Sequence, residues 1–486
     1  MTDEARELRR DPVFRHFYDI CQIPHGSGDE QALSDHIVAW ARGLGLEVEQ
    51  DAMANVLVRR PAGPGREGGA GVLLQAHMDM VCERAEGVEH DFARDPIAWE
   101  IDGDMLSTGG RTTLGADDGI GMALAMAALE DPRLDLPPLE VLFTVGEEED
   151  FRGVMSFDAS SLRSRWLINL DHTSGREIVC GSCGGMRADF FLPLERGPVP
   201  LGWEALRLSV SGLEGGHGGE DIHRGRGNAN VFLARLLLAA EGHCRDLRIA
   251  SLEGGSSRLA IPREASAVVC LPSAQEPGLL ARVEELARDM RAELAVTGPR
   301  LKVGIEPAEP PTGCVHAGPI VSAMTLIPDG IFQMDETLEG LVDTSDNLGE
   351  ARLDEEGLRL VLEIRSARDS LRSYLFQRME RLAALLGGSC GWSEAYPSWG
   401  HRPGSPLLSL CGEAYRALWG EEPAYKTVHA GLEVGFLLER RPDLEAVSMG
   451  ADCWGFHSPS ERASVSSVRR TWRTLCGILS ALAERG

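Results

Sequence analysis

Three short apolar runs in the first third of the chain each stop abruptly at acids or histidine, and that pattern limits the fold more than any other feature. The runs are Val72-Leu-Leu-Gln-Ala-His-Met-Asp, Leu139-Glu-Val-Leu-Phe-Thr-Val and Trp166-Leu-Ile-Asn-Leu-Asp. Each reads as a buried strand whose chemistry gathers at its C-terminal end. Around them, residues 30–44 carry Leu33, Ile37, Val38, Trp40 and Ala41 at helical spacing, with Ser27-Gly28-Asp29 offering capping residues in front. Residues 119–129 are small, apolar and helix-competent. Short apolar strands separated by helices specify an α/β fold, with a mostly parallel sheet covered on both faces. In such sheets ligands bind beyond the carboxyl ends of the strands, which is where the polar residues collect here.

At 486 residues the chain exceeds one ordinary core, so at least two domains are expected. The texture changes near residue 187. Strand-like runs at 205–210, 267–271, 301–305 and 358–364 then alternate with amphipathic helices at 228–240, 279–294 and 374–386. After Trp399-Gly-His-Arg-Pro-Gly-Ser-Pro the first texture returns, with a helix at 407–418, a strand at 446–449 and a last helix at 468–483. The expected organisation is one α/β domain, residues 1–186 and 399–486, interrupted by an inserted α+β domain, residues 187–398.

Composition excludes several classes of function. A formal charge of −27 would repel a phosphate backbone, so no nucleic-acid partner is expected. No run of about 20 apolar residues offers a membrane span. The opening Met1-Thr-Asp-Glu-Ala-Arg-Glu lacks the apolar core of a secretion signal, and eleven scattered cysteines suit reduced thiols. The expected location is the cytoplasm. Cys180 and Cys183 form a single CxxC without a second pair, which reads as two bystander thiols.

The strand-end residues carry the chemistry. His77 and Asp79 point to the same side of the sheet by period-two geometry, and a metal-bound imidazole needs its second nitrogen held, a task Asp79 can perform. Asp117 and Asp118 sit among glycines in Leu114-Gly-Ala-Asp-Asp-Gly-Ile-Gly, just before a helix. Capping accounts well for one acid and less well for two, which leaves Asp117 as a candidate ligand. A bridging carboxylate holds two cations about 3.5–4 Å apart. Gly146-Glu147-Glu148-Glu149-Asp150 by itself reads as a solvated loop. At the end of a buried strand, however, two carboxylates divide the work, one holding metal while the other takes a proton from water. Asp171 closes the third strand, and His457 lies in the loop Gly-Phe-His-Ser-Pro-Ser-Glu. Imidazoles and carboxylates together suit zinc. No GxSxG or Walker loop offers a rival nucleophile or phosphate site.

These residues resemble the aminoacyl-histidine (Xaa-His) dipeptidases, within the superfamily of dinuclear zinc aminoacylases and carboxypeptidases. The likeness runs from Cys21-Gln-Ile-Pro-His-Gly-Ser through Leu74-Gln-Ala-His-Met-Asp-Met-Val, His90-Asp-Phe-Ala-Arg-Asp-Pro-Ile and Thr112-Thr-Leu-Gly-Ala-Asp-Asp-Gly-Ile-Gly-Met-Ala. It continues in Gly216-His-Gly-Gly-Glu-Asp-Ile-His, Gly227-Asn-Ala-Asn, Ala260-Ile-Pro-Arg-Glu-Ala and His429-Ala-Gly-Leu-Glu. The resemblance implies a metallopeptidase catalytic domain with an inserted lid. It implies two zinc ions, with cobalt or manganese as substitutes, bridged by Asp117. His77 and Asp171 would complete one site, and Glu148 and His457 the other. Glu147 would be the general base and Asp79 would orient His77. His217 would help polarise the scissile carbonyl, while Arg365 and Gly431 would hold the substrate's carboxylate.

The implied substrate is a small peptide, an Xaa-His dipeptide of the carnosine type, and the implied assembly a homodimer. The chain departs from the family in three places. Gly-His-Gly-Gly replaces Gly-His-Ser-Gly, Gly-Glu-Glu-Glu-Asp replaces Thr-Glu-Glu-Ala-Gly, and Leu259 stands where relatives carry asparagine. A broader aminopeptidase, a tripeptidase or an N-acyl amino acid deacylase shares the same ligands, and a non-catalytic peptide- or metal-binding member is the alternative of another class.

Overall fold

The computed structural model describes residues 3–485 apart from 135, 337 and 339. They form two compact units. One comprises Met1–Gly181, His401–Thr427 and Leu432–Gly486, the other Ser182–Gly400 and Val428–Gly431. The four-residue segment Val428–Gly431 groups with the second unit although the chain on either side belongs to the first. The Val428 carbonyl accepts the Cys183 N–H at 3.1 Å, and His429 Nε2 lies 2.6 Å from Ser345 Oγ.

The first unit is built on an eight-stranded sheet. Its order is Glu47–Gln50, Val56–Arg60, Leu139–Thr144, Val72–His77, Trp166–Asn169, Glu445–Ser448, Glu177–Ser182 and Ala424–Val428. The four central strands are mutually parallel. Antiparallel pairs flank them on both sides, so the expected parallel sheet is its centre. One face is apolar throughout. Val72, Leu74 and Ala76 join Leu139, Val141, Phe143, Ile168 and Val447 in a core with the helices Pro12–Cys21, Ala116–Glu130, Pro406–Trp419 and Val465–Arg485. Ala116–Glu130 is buried nearly all round, which its small residues permit. A Cβ at Gly119 would lie 2.8 Å from Phe17 Cε2, so glycine there lets two helices meet.

The other face carries buried polar groups joined by hydrogen bonds, although Asn169 Oδ1 and Glu433 Oε1 have no partner among the described residues. Gln75 Nε2 donates to Glu433 Oε2 at 2.5 Å and Thr144 Oγ1 to the same oxygen at 2.6 Å, from the helix Glu433–Arg440. Asn169 Nδ2 donates to Gln75 Oε1 at 2.6 Å. The early helix runs Gln31–Gly43, but Ser27-Gly28-Asp29 does not cap it. Glu30 occupies the cap position without a side-chain bond. Ser27 Oγ donates instead to Asp79 at 2.8 Å, since a buried carboxylate is the stronger acceptor.

A small antiparallel sheet in the same unit joins Cys453–Trp454, Arg462–Ser464, Met105–Ser107 and Glu100–Asp102. Its strands of two or three residues are too short to show a period in the sequence.

The second unit is α+β. Its main antiparallel sheet runs Lys302–Pro307, Trp203–Ser211, Ala265–Pro272, Arg248–Gly254, Val342–Leu353, Gly357–Ser366, Gly184–Pro193 and Ser389–Tyr396, with Val315–His316 and Gly330–Met334 attached. Leu206, Leu208 and Val210 alternate inward, as do Leu358, Leu360, Leu362 and Ile364. They pack with buried residues of the helices Ala229–His243, Glu276–Glu293, Ala317–Leu326 and Asp369–Leu386. All eleven cysteines are free thiols. Among the described residues no helix is long and apolar enough to cross a membrane.

Leu74 is fully buried in the central strand of the first unit. Leu74→Ala should destabilise that unit by about 2–5 kcal/mol, read as a lowered urea midpoint for its unfolding transition.

Candidate metal centre

Six of the singled-out side chains of the first unit come together: His77, Glu147, Glu148 and Asp171 at or just beyond the ends of central strands, Asp117 at the start of a helix and His457 in a loop. His77 ends the strand Val72–His77 and is buried with Asp79. Its Nδ1 lies 3.0 Å from the Asp79 main-chain oxygen and 3.5 Å from the Asp79 carboxylate. A carbonyl can only accept, so Nδ1 carries the proton and Nε2 presents a lone pair. That lone pair faces Asp117 Oδ1 at 3.2 Å. The other oxygen of Asp117 lies 3.6 Å from His457 Nε2, and His457 Nε2 lies 2.9 Å from Glu148 Oε1. Two acceptors facing each other require a proton or a cation between them.

The Asp79 carboxylate has a second task that the sequence does not reveal. It accepts the main-chain N–H of Glu147 at 3.0 Å and of Glu148 at 3.2 Å, besides the Ser27 hydroxyl. It therefore shapes the turn that begins at Gly146, where φ is +67°. The adjacent acids Asp117 and Asp118, joined by a cis peptide bond, also divide their work. Asp118 is buried and accepts from His77 N and Gly121 N, both at 3.2 Å, so it is the capping acid. Asp117 is left to face the imidazoles.

Three groups offer ligand atoms within 4.8 Å of one another: His77, Asp117 and Asp171; Asp117, Glu148 and His457; and His77, Glu147 and Glu148. Among the described residues, neither the Asp171 nor the Glu147 carboxylate accepts a hydrogen bond. Burial, then the Asp117 charge, pushes Asp171 up to about 8. Burial, reinforced by Asp171 and Glu148, holds Glu147 well above the usual carboxylate range. Hydrogen bonds to Asp117 and Glu148 raise His457 to about 10. Burial opposes charge on His77, yet Asp117 and Asp79 raise it well above its ordinary value. Asp171, Glu147 and the two imidazoles therefore hold protons that a pair of divalent cations would displace, and the mixed N/O donor set fits such ions.

His217, Arg365 and Gly431 belong to the second unit. His217 Nδ1 accepts the Glu220 N–H at 3.0 Å, which leaves the proton on Nε2, free to donate outward. Burial and the Arg365 charge lower His217 to about 4, so the ring is neutral at pH 7. Arg365 is 4% exposed, donates from Nη1 to the His429 carbonyl at 3.2 Å, and has no hydrogen-bond partner at Nε. A buried guanidinium with a spare donor is suited to an anion. His429 precedes Gly431 by two residues in the chain. Leu259 is 37% exposed next to the short ladder that pairs His217 with Ala260.

Sequence reasoning passed over Glu433 and Glu461. Glu433 ends the motif His429-Ala-Gly-Leu-Glu, and Glu461 follows His457 by four residues. Both read as surface acids until the fold buries them to 1% and 2% exposure.

Residues 73–481 match the sequence profile of peptidase family M20/M25/M40. Over 484 residues, 99% of each chain, the protein is 36% identical to the cytosol non-specific dipeptidase of Escherichia coli (strain K12). Its fold matches the aminoacylhistidine dipeptidase of Vibrio alginolyticus with a TM-score of 0.91 at 34% identity, over 99% of this chain and 98% of that one. The aminopeptidase PepT of Bacillus cereus shares the fold at 14% identity and a TM-score of 0.57, over 98% and 99% of the two chains.

Asp171 and His457 bind their protons more tightly in the folded than in the unfolded chain, so the stability they contribute is present at low pH. It is lost as pH rises through about 8 for Asp171 and about 10 for His457. The melting temperature of metal-free protein should fall between pH 6 and pH 9. Added zinc should release protons and stabilise more strongly at the alkaline end, measured by calorimetry in buffers of different ionisation enthalpy.

Proposed function

Because the chain belongs to peptidase family M20/M25/M40, we propose that it is a cytoplasmic dipeptidase working with two divalent cations, zinc ions in the first instance. The observation that carries this reading is the shared Asp117 carboxylate, whose two oxygens face the Nε2 atoms of His77 and His457. Asp117 is proposed as the bridge, with His77 and Asp171 completing one site and Glu148 and His457 the other. Cobalt or manganese would serve in place of zinc. When bound, the cations make water more acidic and polarise the scissile carbonyl.

The remaining steps belong to side chains. Glu147 takes the proton of the attacking water and delivers it to the leaving amine. Its raised proton affinity suits it to carry a proton near neutral pH. Asp79 holds the His77 tautomer through its carbonyl and the Glu147 main chain through its carboxylate. Arg365 and Gly431 are proposed to bind the substrate's terminal carboxylate. Neutral His217 is proposed to donate from Nε2 to the carbonyl under attack.

Dipeptides are the proposed substrates, with Xaa-His among them. Two relatives above 30% identity are, by name, a non-specific dipeptidase and an aminoacylhistidine dipeptidase. Leu259, which has no amide to donate, favours the broader range. The name of the Escherichia coli relative supports the cytoplasm, and a homodimer is the proposed assembly.

Hydrolysis of Xaa-His, Xaa-Leu, tripeptides and N-acyl amino acids should be compared under metal-replete conditions. Both dipeptides should be cleaved, and stripping the metal should abolish turnover. Preference for tripeptides or acyl amino acids would sink the dipeptidase reading. Glu147→Ala should retain both metal ions while kcat falls about 10²–10⁴-fold. Arg365→Ala should raise KM for dipeptides much more than it lowers kcat, as loss of a charged anchor does.

A further inference from the structure

Glu461 has so far no role, yet its surroundings are specific. It is 2% exposed, and its two oxygens accept main-chain N–H groups from four consecutive residues. Leu114 and Gly115 donate to Oε2 at 2.6 and 3.0 Å, and Ala116 and Asp117 to Oε1 at 2.7 and 3.4 Å. The row turns at Gly115, where φ is +69°, a conformation that favours glycine. Converging N–H groups of this kind form a concave anion site, and here the protein fills it with its own carboxylate.

The carboxylate comes from the loop that presents His457. Residues 455–461 link the strands Cys453–Trp454 and Arg462–Ser464, with His457 itself at φ +59°. His457 is the most exposed of the six centre residues, its side chain 46% exposed, and its ring nitrogen Nε2 faces Glu148 at 2.9 Å and Asp117 at 3.6 Å. Its position therefore depends on how its loop is tethered. Glu461 tethers that loop directly to the residues that carry Asp117.

We propose that Glu461 is a positioning residue: by gripping residues 114–117 it sets the separation of Asp117 and His457, and so the affinity of the cation site they form with Glu148. This inference rests on the two-cation reading. It differs from simple anchoring, in which Glu461 would matter for stability alone. Glu140 provides the comparison. It is equally buried and accepts from Arg163 N at 2.9 Å, Ser164 N at 2.8 Å, Ser164 Oγ at 2.7 Å and Arg59 Nε at 3.0 Å. It lies at the opposite end of the strand Leu139–Thr144 from the centre.

Glu461→Gln keeps the shape but turns an NH₂ group toward two N–H donors. Zinc binding to the metal-free full-length protein, measured by competition with a chromophoric chelator, should weaken about 10–100-fold for one of the two ions, as loss of a partner behind a ligand does. Metal content after dialysis should fall from two ions per chain toward one. Glu461→Asp, which retains both oxygens, should bind more tightly than the glutamine variant, and it replaces that variant if the latter does not fold. Glu140→Gln should lower the melting temperature while leaving both zinc affinities unchanged. Wild-type affinities in Glu461→Gln, or equal weakening in Glu140→Gln, would overturn the positioning role while leaving the two-cation reading intact. A wild-type protein that binds fewer than two zinc ions would overturn that reading, and this inference with it.

Discussion

Like charge confined away from water governs the architecture of the first unit. Asp117, Glu147, Glu148 and Asp171 stand within a few ångströms of two imidazoles, and burial, reinforced by the neighbouring carboxylates, raises the proton affinity of Asp171 and Glu147. Such a set is tolerable in a folded chain when protons or multivalent cations neutralise it. The surrounding structure supplies the counter-force that keeps the carboxylates from drifting apart. Asp79 holds two main-chain N–H groups of the glutamate turn, Asp118 holds the start of the helix, and Glu461 holds the loop between. Each of these acids is itself buried and fully engaged, so rigidity is built from further carboxylates bound to main-chain donors.

The two faces of the sheet divide cohesion from chemistry. Val72, Leu74 and Ala76 fill the apolar core, while Leu73, Gln75 and His77 alternate to the other face. On that face the polar character increases toward the strand ends, from Gln75 and Thr144, tied to Glu433, to His77 itself. A parallel centre matters because it sends several strand ends to one edge. His77, Asp171 and the glutamate turn come from three neighbouring parallel strands, so short loops suffice to bring them together.

The second unit supplies a different chemistry. It places a buried guanidinium with an unsatisfied Nε near a neutral imidazole whose Nε2 can donate. Neither group offers a carboxylate ligand for a metal ion. A buried guanidinium with a spare donor suits an anion. Leu259, next to Ala260 of the ladder that pairs with His217, is apolar and partly exposed.

Much of the fold was legible in the sequence because its signals are local. The strands at 72–77, 139–144 and 166–169 declare themselves as apolar runs that end in polar residues, the helix at 31–43 by its apolar face, and residues 119–129 by their small, helix-competent composition. The six centre residues could be named because each ends a strand or lies in a recognisable motif. Of the adjacent acids the sequence singled out Asp117 as a candidate ligand, but not how its neighbour is held: the fold turns Asp118 to accept from His77 N and Gly121 N while Asp117 faces two histidines. Glu461 and Glu433 look like surface acids, and Ser27 looks like a helix cap, until distant segments bury them against main-chain and side-chain donors. By itself, then, the sequence determined the strand-end chemistry, since that depends on residue type and short-range period. The tertiary structure decided the bond from His77 N to Asp118, the grip of Glu461 and the grouping of Val428–Gly431, because each is a hydrogen bond between residues far apart in the chain.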